Sequence, residues 1–246
     1  MPGIFLNDKE THVSDTKVAL ITGGSSGLGR ALVAALSAEG WRVITNGRRE
    51  AQLMVATAGL PGVEGVPGDV TDHVHREQLV ATVRAHGRLD LLVNNASTLG
   101  PIPLLPLAQR TVDDLPEVWR TNVGAPFALA VEFLPDLLAS NGVLLSISSD
   151  AAVEHYDGWG LYGAAKAALD HLTLTIAAEN PGLHAYVVDP GDLRTPMHQA
   201  AFPGEDISDR PEPVSVIPHL RTLWRRPLAS GRYRAADLPV TEEAAV

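Results

Sequence analysis

The chain contains no cysteine, which excludes disulfides, thiolate nucleophiles and cysteine-ligated zinc. Lysine is nearly absent too: of 19 basic residues only Lys9, Lys17 and Lys166 are lysines. Positive charge is scarce overall, because 29 acidic residues set the formal charge at −10 and the basic residues form no long run. Nucleic acid and anionic membrane surfaces are therefore not expected partners. Residues 1–15 carry only the short apolar run Ile4-Phe5-Leu6 and no basic lead, which predicts neither a signal peptide nor a membrane span and points to a cytoplasmic protein. We read residues 1–16 as an N-terminal arm. No internal repeat, heptad pattern or low-complexity tract divides residues 17–246, whose length suits one α/β domain.

Short Val/Leu/Ile-rich runs recur at residues 18–22, 42–46, 63–66, 89–94, 143–148 and 184–188. Each is continuous rather than alternating, the pattern of parallel strands buried on both faces. Between the first two, Leu28, Leu32, Val33 and Leu36 keep helical spacing up to a stop at Gly40. Repetition of this βαβ order predicts a Rossmann-type, doubly wound, mostly parallel sheet with helices on both faces and a ligand crevice at the carboxyl ends of the strands. Residues 203–213 hold three prolines, four acidic residues and few apolar ones, a surface loop in the position of a lid.

Two features carry chemistry. The first strand runs into Gly23-Gly24-Ser25-Ser26-Gly27-Leu28-Gly29 and then a helix; glycines there let backbone turn tightly against a pyrophosphate facing the helix N-terminus. The scarce Lys166 stands four residues after Tyr162, so the two share a helix face. One positive charge about 4 Å from a phenol, at an effective dielectric near 20, favours the phenolate by roughly 4 kcal/mol. That pairing makes Tyr162 a candidate proton-transfer group. Tyr156 is a weaker candidate, because glycine occupies position 160. Leu161, Ala165, Ala168, Leu172 and Ile176 form a helical stripe of core character. His73 and His75 lack acidic or histidine companions at metal spacing, so they are read as solvated helix-start residues and no metal is expected.

The spacing Gly23-x-x-x-Gly27-x-Gly29 together with Tyr162-x-x-x-Lys166 resembles the short-chain dehydrogenase/reductase family, in its compact single-domain branch. The resemblance runs from about Lys17 to Ala235 and includes Asp69-Val70, Asn94-Asn95-Ala96, Asn122, Ser149 thirteen residues before Tyr162, and Pro190-Gly191-Asp192-Leu193-Arg194-Thr195. It implies an NAD(P)(H)-dependent oxidoreductase interconverting a carbonyl and a secondary alcohol, with a small-molecule substrate and a homodimer or homotetramer, commonly built through the helix bearing Tyr162. It implies a catalytic set of Asn122, Ser149, Tyr162 and Lys166. Tyr162 would be the acid/base, Ser149 would hold the substrate oxygen, Lys166 would lower the tyrosine pKa and hold the ribose, and Asn122 would hold a relay water. Gly23, Ser25, Ser26, Gly27, Leu28, Gly29, Asp69, Val70, Asn95, Ala96, Ser97, Pro190, Gly191, Leu193 and Thr195 would face the cofactor.

Two residues depart from the family pattern: Ser97 stands where glycine is usual, and Asp150 follows Ser149 where a small apolar residue is common. Asp150, Tyr156, Trp159 and Met197 are the candidate substrate-site residues. After the second strand, Gly47 occupies the place of the acidic ribose ligand and Arg48 and Arg49 follow. That favours NADP(H), with NAD(H) as the alternative. Two other functions suit the same fold: non-redox chemistry with bound cofactor, and nucleotide sensing without chemistry. The complete catalytic set argues against sensing.

Overall fold

A computed structural model describes residues 16–240. The expected N-terminal arm therefore lies outside the described residues except for Thr16. In chain order the main elements are β1 (Val18–Ile21), α1 (Gly27–Ala38), β2 (Arg42–Gly47), α2 (Glu50–Thr57), β3 (Val63–Pro67), α3 (His73–Arg84) and β4 (Leu91–Asn94). They continue with α4 (Leu115–Trp119), α5 (Ala125–Ser140), β5 (Val143–Ile147), α6 (Gly160–Glu179), β6 (His184–Asp189), α7 (Pro196–Ala201), α8 (Ile217–Arg225) and β7 (Gly231–Arg234). The seven strands form one sheet in the order β3-β2-β1-β4-β5-β6-β7, every pair parallel. Strand order reverses between β1 and β4, and that switch point opens a crevice at the strands' carboxyl ends.

Alternate strand residues feed two separate cores. Ala19, Ile21, Leu91, Val93, Val143 and Leu145 pack with Leu32 and Leu36 of α1 and Leu220 and Leu223 of α8. Val18, Leu20, Leu92 and Leu144 face the other way, onto Leu79 of α3, Leu129 and Phe133 of α5 and Ile176 of α6. Each fully buried leucine contributes about 1.5–3 kcal/mol relative to exposure, so this double layer is what holds the crevice walls rigid. The helical stripe packs as core: Ala165 is buried against Val118 and Val123, with Leu161, Ala168 and Leu172 beside them.

Two strand expectations need correction. β3 is not buried on both faces, since it is the sheet edge and Glu64 points to solvent. β7 escaped the pattern because Gly-Arg-Tyr-Arg has almost no apolar content; it is specified by pairing with β6, not by its own hydrophobicity. Residues 203–212 form an irregular surface segment, pinned where Ile207 is buried. Residues 112–140 are, among the described residues, the one helical stretch long and apolar enough to cross a membrane by length and composition. Its Leu129, Phe133 and Leu137 are nevertheless buried in the core.

Candidate active site

The glycine turn after β1 is built by backbone geometry and braced by the side-chain amides of Asn46 and Asn95. Gly23 has φ of 73°, a left-handed conformation that strains any side chain. A Cβ at Gly29 would lie 2.3 Å from the Gly23 carbonyl and 2.5 Å from Asn95 Nδ2, so the turn closes only without one. Asn46 Oδ1 accepts from Gly23 N at 3.0 Å, and Asn95 Nδ2 donates to Thr22 O at 2.8 Å. The α1 helix begins at this turn, and the Ser26 side chain does not cap it. Its first N–H groups are thereby left for an anion in the cleft. His75 corrects an expectation: it is buried beneath Gly68, 3.1 Å from Asn46 Nδ2. Burial lowers its pKa. His73 does face solvent, 3.6 Å from Glu77.

Arg48 and Arg49 follow β2 at the rim of this end, exposed. Neither has a carboxylate partner among the described residues. Asp69 and Val70 line the same cleft, with Asp69 Oδ1 accepting from the Thr71 amide and hydroxyl at 2.9 Å each. On the far side lie Pro190, Gly191, Leu193 and Thr195, the last capping α7 through the His198 amide.

Ser149 leaves β5 and caps the short turn Asp150–Ala152. That turn packs on α6 at Gly163, where a Cβ would lie 2.5 Å from the Ala151 carbonyl. Tyr162 and Lys166 lie on the buried face of α6, as their spacing requires. Lys166 Nζ donates to the Ile147 carbonyl at 2.8 Å and sits 5.6 Å from the centre of the Tyr162 ring.

The electrostatics depart from the simple pairing. Burial raises the Tyr162 pKa above the ordinary phenol value, and Asp150 and Asp189 add to the rise, while hydrogen bonds with Ser149 and Ser97 oppose it. Burial lowers Lys166 to about 8, with Asp170 opposing. The lysine does not bring the Tyr162 pKa down in this geometry, because desolvation outweighs a charge that is itself desolvated and bonded to a carbonyl. Tyr162 is protonated at neutral pH, the state of a proton donor.

Asn122 is placed by a local break in helix geometry. It sits in a π turn (Arg120–Gly124) between α4 and α5 that rotates it inward, fully buried. Its Oδ1 accepts from Ser97 Oγ at 3.1 Å and Thr98 N at 2.9 Å, and its Nδ2 donates to Thr98 O at 2.8 Å. The side chain clamps the segment after β4 that carries Ser97 and Thr98. Every other expected site residue lines one cleft of about 620 Å³, a volume suited to a cofactor and small substrate.

The sequence reading missed several contributors. Arg232, from β7, donates Nη2 to the Ser149 carbonyl at 2.7 Å and Nε to Asp170 Oδ2 at 3.1 Å. Asp170 lies one helical turn beyond Lys166, a spacing that was open to view; Arg232 gave no signal, its strand being unrecognised. At the mouth, Asp150 Oδ1 accepts from Ser149 Oγ at 2.9 Å and its Oδ2 from Tyr156 Oη at 2.9 Å. Trp159, Met197, His198 and Phe202 complete that end.

Comparison with known proteins agrees with this geometry. The family model for short chain dehydrogenase matches residues 17–206. An uncharacterized oxidoreductase of Saccharomyces cerevisiae is 34% identical over 189 residues, covering 74% of this chain and 72% of its own. L-xylulose reductase of Bos taurus is 35% identical over 188 residues, 75% of each chain. A short chain dehydrogenase structure from Shigella flexneri, complexed with NADP, superposes with a TM-score of 0.83 at 27% identity, covering 89% of this chain and 97% of its own.

Proposed function

The chain belongs to the short-chain dehydrogenase/reductase family, and from that premise we propose that it is an NADP(H)-dependent enzyme interconverting a carbonyl and a secondary alcohol, working chiefly as a reductase. The observation that carries this reading is Tyr162, kept protonated by burial and hydrogen-bonded with Ser149 and Ser97 on the wall of the same cleft as the glycine turn. A phenol kept neutral by burial is suited to give a proton to a carbonyl oxygen. Bound nicotinamide supplies the hydride that the carbonyl carbon receives. Ser149 holds the substrate oxygen, Tyr162 protonates it, and Lys166, with a pKa of about 8, exchanges protons with the ribose side of the site near neutral pH. Asn122 acts by fixing Ser97 and Thr98.

The glycine turn and the uncapped start of α1 hold the pyrophosphate, and Arg48 grips the 2′-phosphate, with NAD(H) as a weaker substitute. A neighbour solved with NADP supports the nucleotide class. We place the protein in the cytoplasm as a homo-oligomer. The exposed apolar residues Trp119, Phe127, Val131 and Leu138 run along α4 and α5, which favours that face over the α6 helix as the contact between subunits. Following NADPH absorbance against ketones, aldehydes, quinones and keto-sugars tests the proposal: oxidation with at least one class is expected. Tight nucleotide binding with no turnover on any class would favour the sensor alternative.

A further inference from the structure

We propose that the substrate end of the cleft takes a carbonyl compound carrying a protonated amine two or three bonds from the reacting carbon, with Asp150 as the anion that holds it. This deepens the oxidoreductase reading and rests on it.

Asp150 is half-buried in the cleft wall, and all its partners are neutral. Its Oδ1 accepts from Ser149 Oγ at 2.9 Å and Ala151 N at 2.7 Å, and its Oδ2 from Tyr156 Oη at 2.9 Å. No basic side chain among the described residues forms an ion pair with it. A carboxylate in that setting is an uncompensated charge, and a ligand cation relieves it.

The basic groups nearby are engaged elsewhere. Lys166 is bonded to the Ile147 carbonyl, Arg232 to the Ser149 carbonyl and Asp170, and Arg210 to Asp209 at 3.0 Å. Asp192, which is 60% exposed at the same mouth, adds a second negative charge, with His198 and Arg210 no nearer than 3.9 Å. An anionic substrate finds no free cation here. The remaining wall is aromatic: Trp159 meets Tyr162 edge-on with ring centres 5.6 Å apart and Phe202 at 6.1 Å, and Tyr156 stands at the rim. Aromatic faces beside a carboxylate are the surroundings that recognise ammonium groups.

Distance sets where the amine sits. On binding, Ser149 turns its one O–H from Asp150 Oδ1, 2.9 Å away, to the substrate oxygen at about 2.8 Å, which leaves that carboxylate oxygen open to the ammonium. The bound oxygen and the carboxylate thus share Ser149 Oγ as a neighbour, a separation that a short spacer bridges, with the ammonium two or three bonds from the carbonyl carbon as in an α- or β-amino ketone. Asparagine at position 150 keeps Oδ1 as acceptor for Ser149 and Ala151 and can donate Nδ2 to Tyr156 Oη in place of accepting from it, so Asp150→Asn removes the charge while retaining three contacts.

The test measures kcat/KM for 1-(dimethylamino)propan-2-one, protonated at pH 7, against 4-methylpentan-2-one, its neutral isostere, and acetoacetate, an anion of similar size. A charge-assisted contact predicts a cation-over-neutral ratio of about 10 to 150 in the wild type, falling to roughly 1 in Asp150→Asn, with acetoacetate the poorest wild-type substrate. A parallel titration of the NADP⁺-loaded protein with 1-(dimethylamino)propan-2-ol and 4-methylpentan-2-ol reads binding alone. A wild type that takes the neutral ketone equally well, or a ratio unchanged in Asp150→Asn, would overturn the proposal. Asp150-dependent binding of the amino alcohol without turnover of any ketone would support the cation site and sink the reductase reading. Binding of both alcohols with equal affinity would overturn the cation site whatever the turnover.

Discussion

The two ends of the cleft are built on different principles. At the nucleotide end the recognising surface is backbone, namely a turn with Gly23 in the left-handed region and a Gly29 so close to the Gly23 carbonyl that no Cβ fits. The amides of buried Asn46 and half-buried Asn95 brace it from behind. At the substrate end the surface is side chain: Ser149, Asp150, Tyr156, Trp159, Tyr162 and Phe202, brought together from a strand end, a short turn, one helix and a loop. Backbone recognition constrains residue type, because only glycine tolerates the geometry. Side-chain recognition leaves type free, so the substrate end can change without disturbing the turn.

The strongest way to separate the ends is Tyr162→Phe. Phenylalanine keeps the ring against Trp159 and removes the proton, so turnover should fall by about 10²–10⁴-fold. Calorimetry should find NADPH affinity within a few-fold of wild type, since the backbone cradle is untouched. Retention of more than about a tenth of turnover would remove Tyr162 from the role of acid.

The mirror experiment alters the nucleotide end alone. On the proposed role of Arg48, Arg48→Ala would remove a charge-assisted contact worth roughly 1.5–3 kcal/mol. NADPH affinity should therefore drop about 10- to 150-fold, while NADH affinity hardly moves, and rising salt should narrow the wild-type preference. Equal losses for both nucleotides would show that Arg48 supports the rim instead of the 2′-phosphate.

That contrast also explains what was legible beforehand. The interior strands announced themselves because burial on both faces demands continuous apolar runs, and the glycine turn because sterics demand glycine. Tyr162 and Lys166 were visible because lysine is so rare here. What stayed hidden depends on contacts between segments distant in sequence. Arg232 reaches Ser149 from a strand with no hydrophobic signature, and Asn122 is rotated inward by a π turn that nothing in its neighbours requires. The pKa shifts were misjudged for a related reason: spacing reveals who stands beside Tyr162, but burial, set by the whole fold, decides the sign of the shift.

Burial at the substrate end should also be measurable as stability. Lys166 falls from 10.5 to about 8 in the folded protein, so between those values the unfolded chain holds a proton that the folded one has released. Stability contributed by this group is therefore lowest below pH 8 and rises as pH increases toward 10. At about 1.36 kcal/mol per unit, the wild type should gain up to about 2 kcal/mol over that interval relative to Lys166→Met. Urea titrations at pH 8, 9 and 10 compare the two slopes; parallel curves would mean that Lys166 is solvated in the folded state.

The smallest expected effect tests whether side chains far in sequence tune the substrate end without touching the nucleotide end. Arg232 bonds the Ser149 carbonyl and Asp170 at once through two nitrogens of one planar group. Lysine in its place keeps the charge beside Asp170 but is a single point donor, so it cannot hold both acceptors in that geometry. Losing one hydrogen bond of about 0.5–1.5 kcal/mol should loosen Ser149 and lower kcat roughly 2- to 10-fold in Arg232→Lys. Affinity for NADPH should stay unchanged, because no atom of Arg232 braces the glycine turn. A fall in NADPH affinity that matches the fall in kcat would show that β7 supports the whole cleft and would erase the distinction between its two ends.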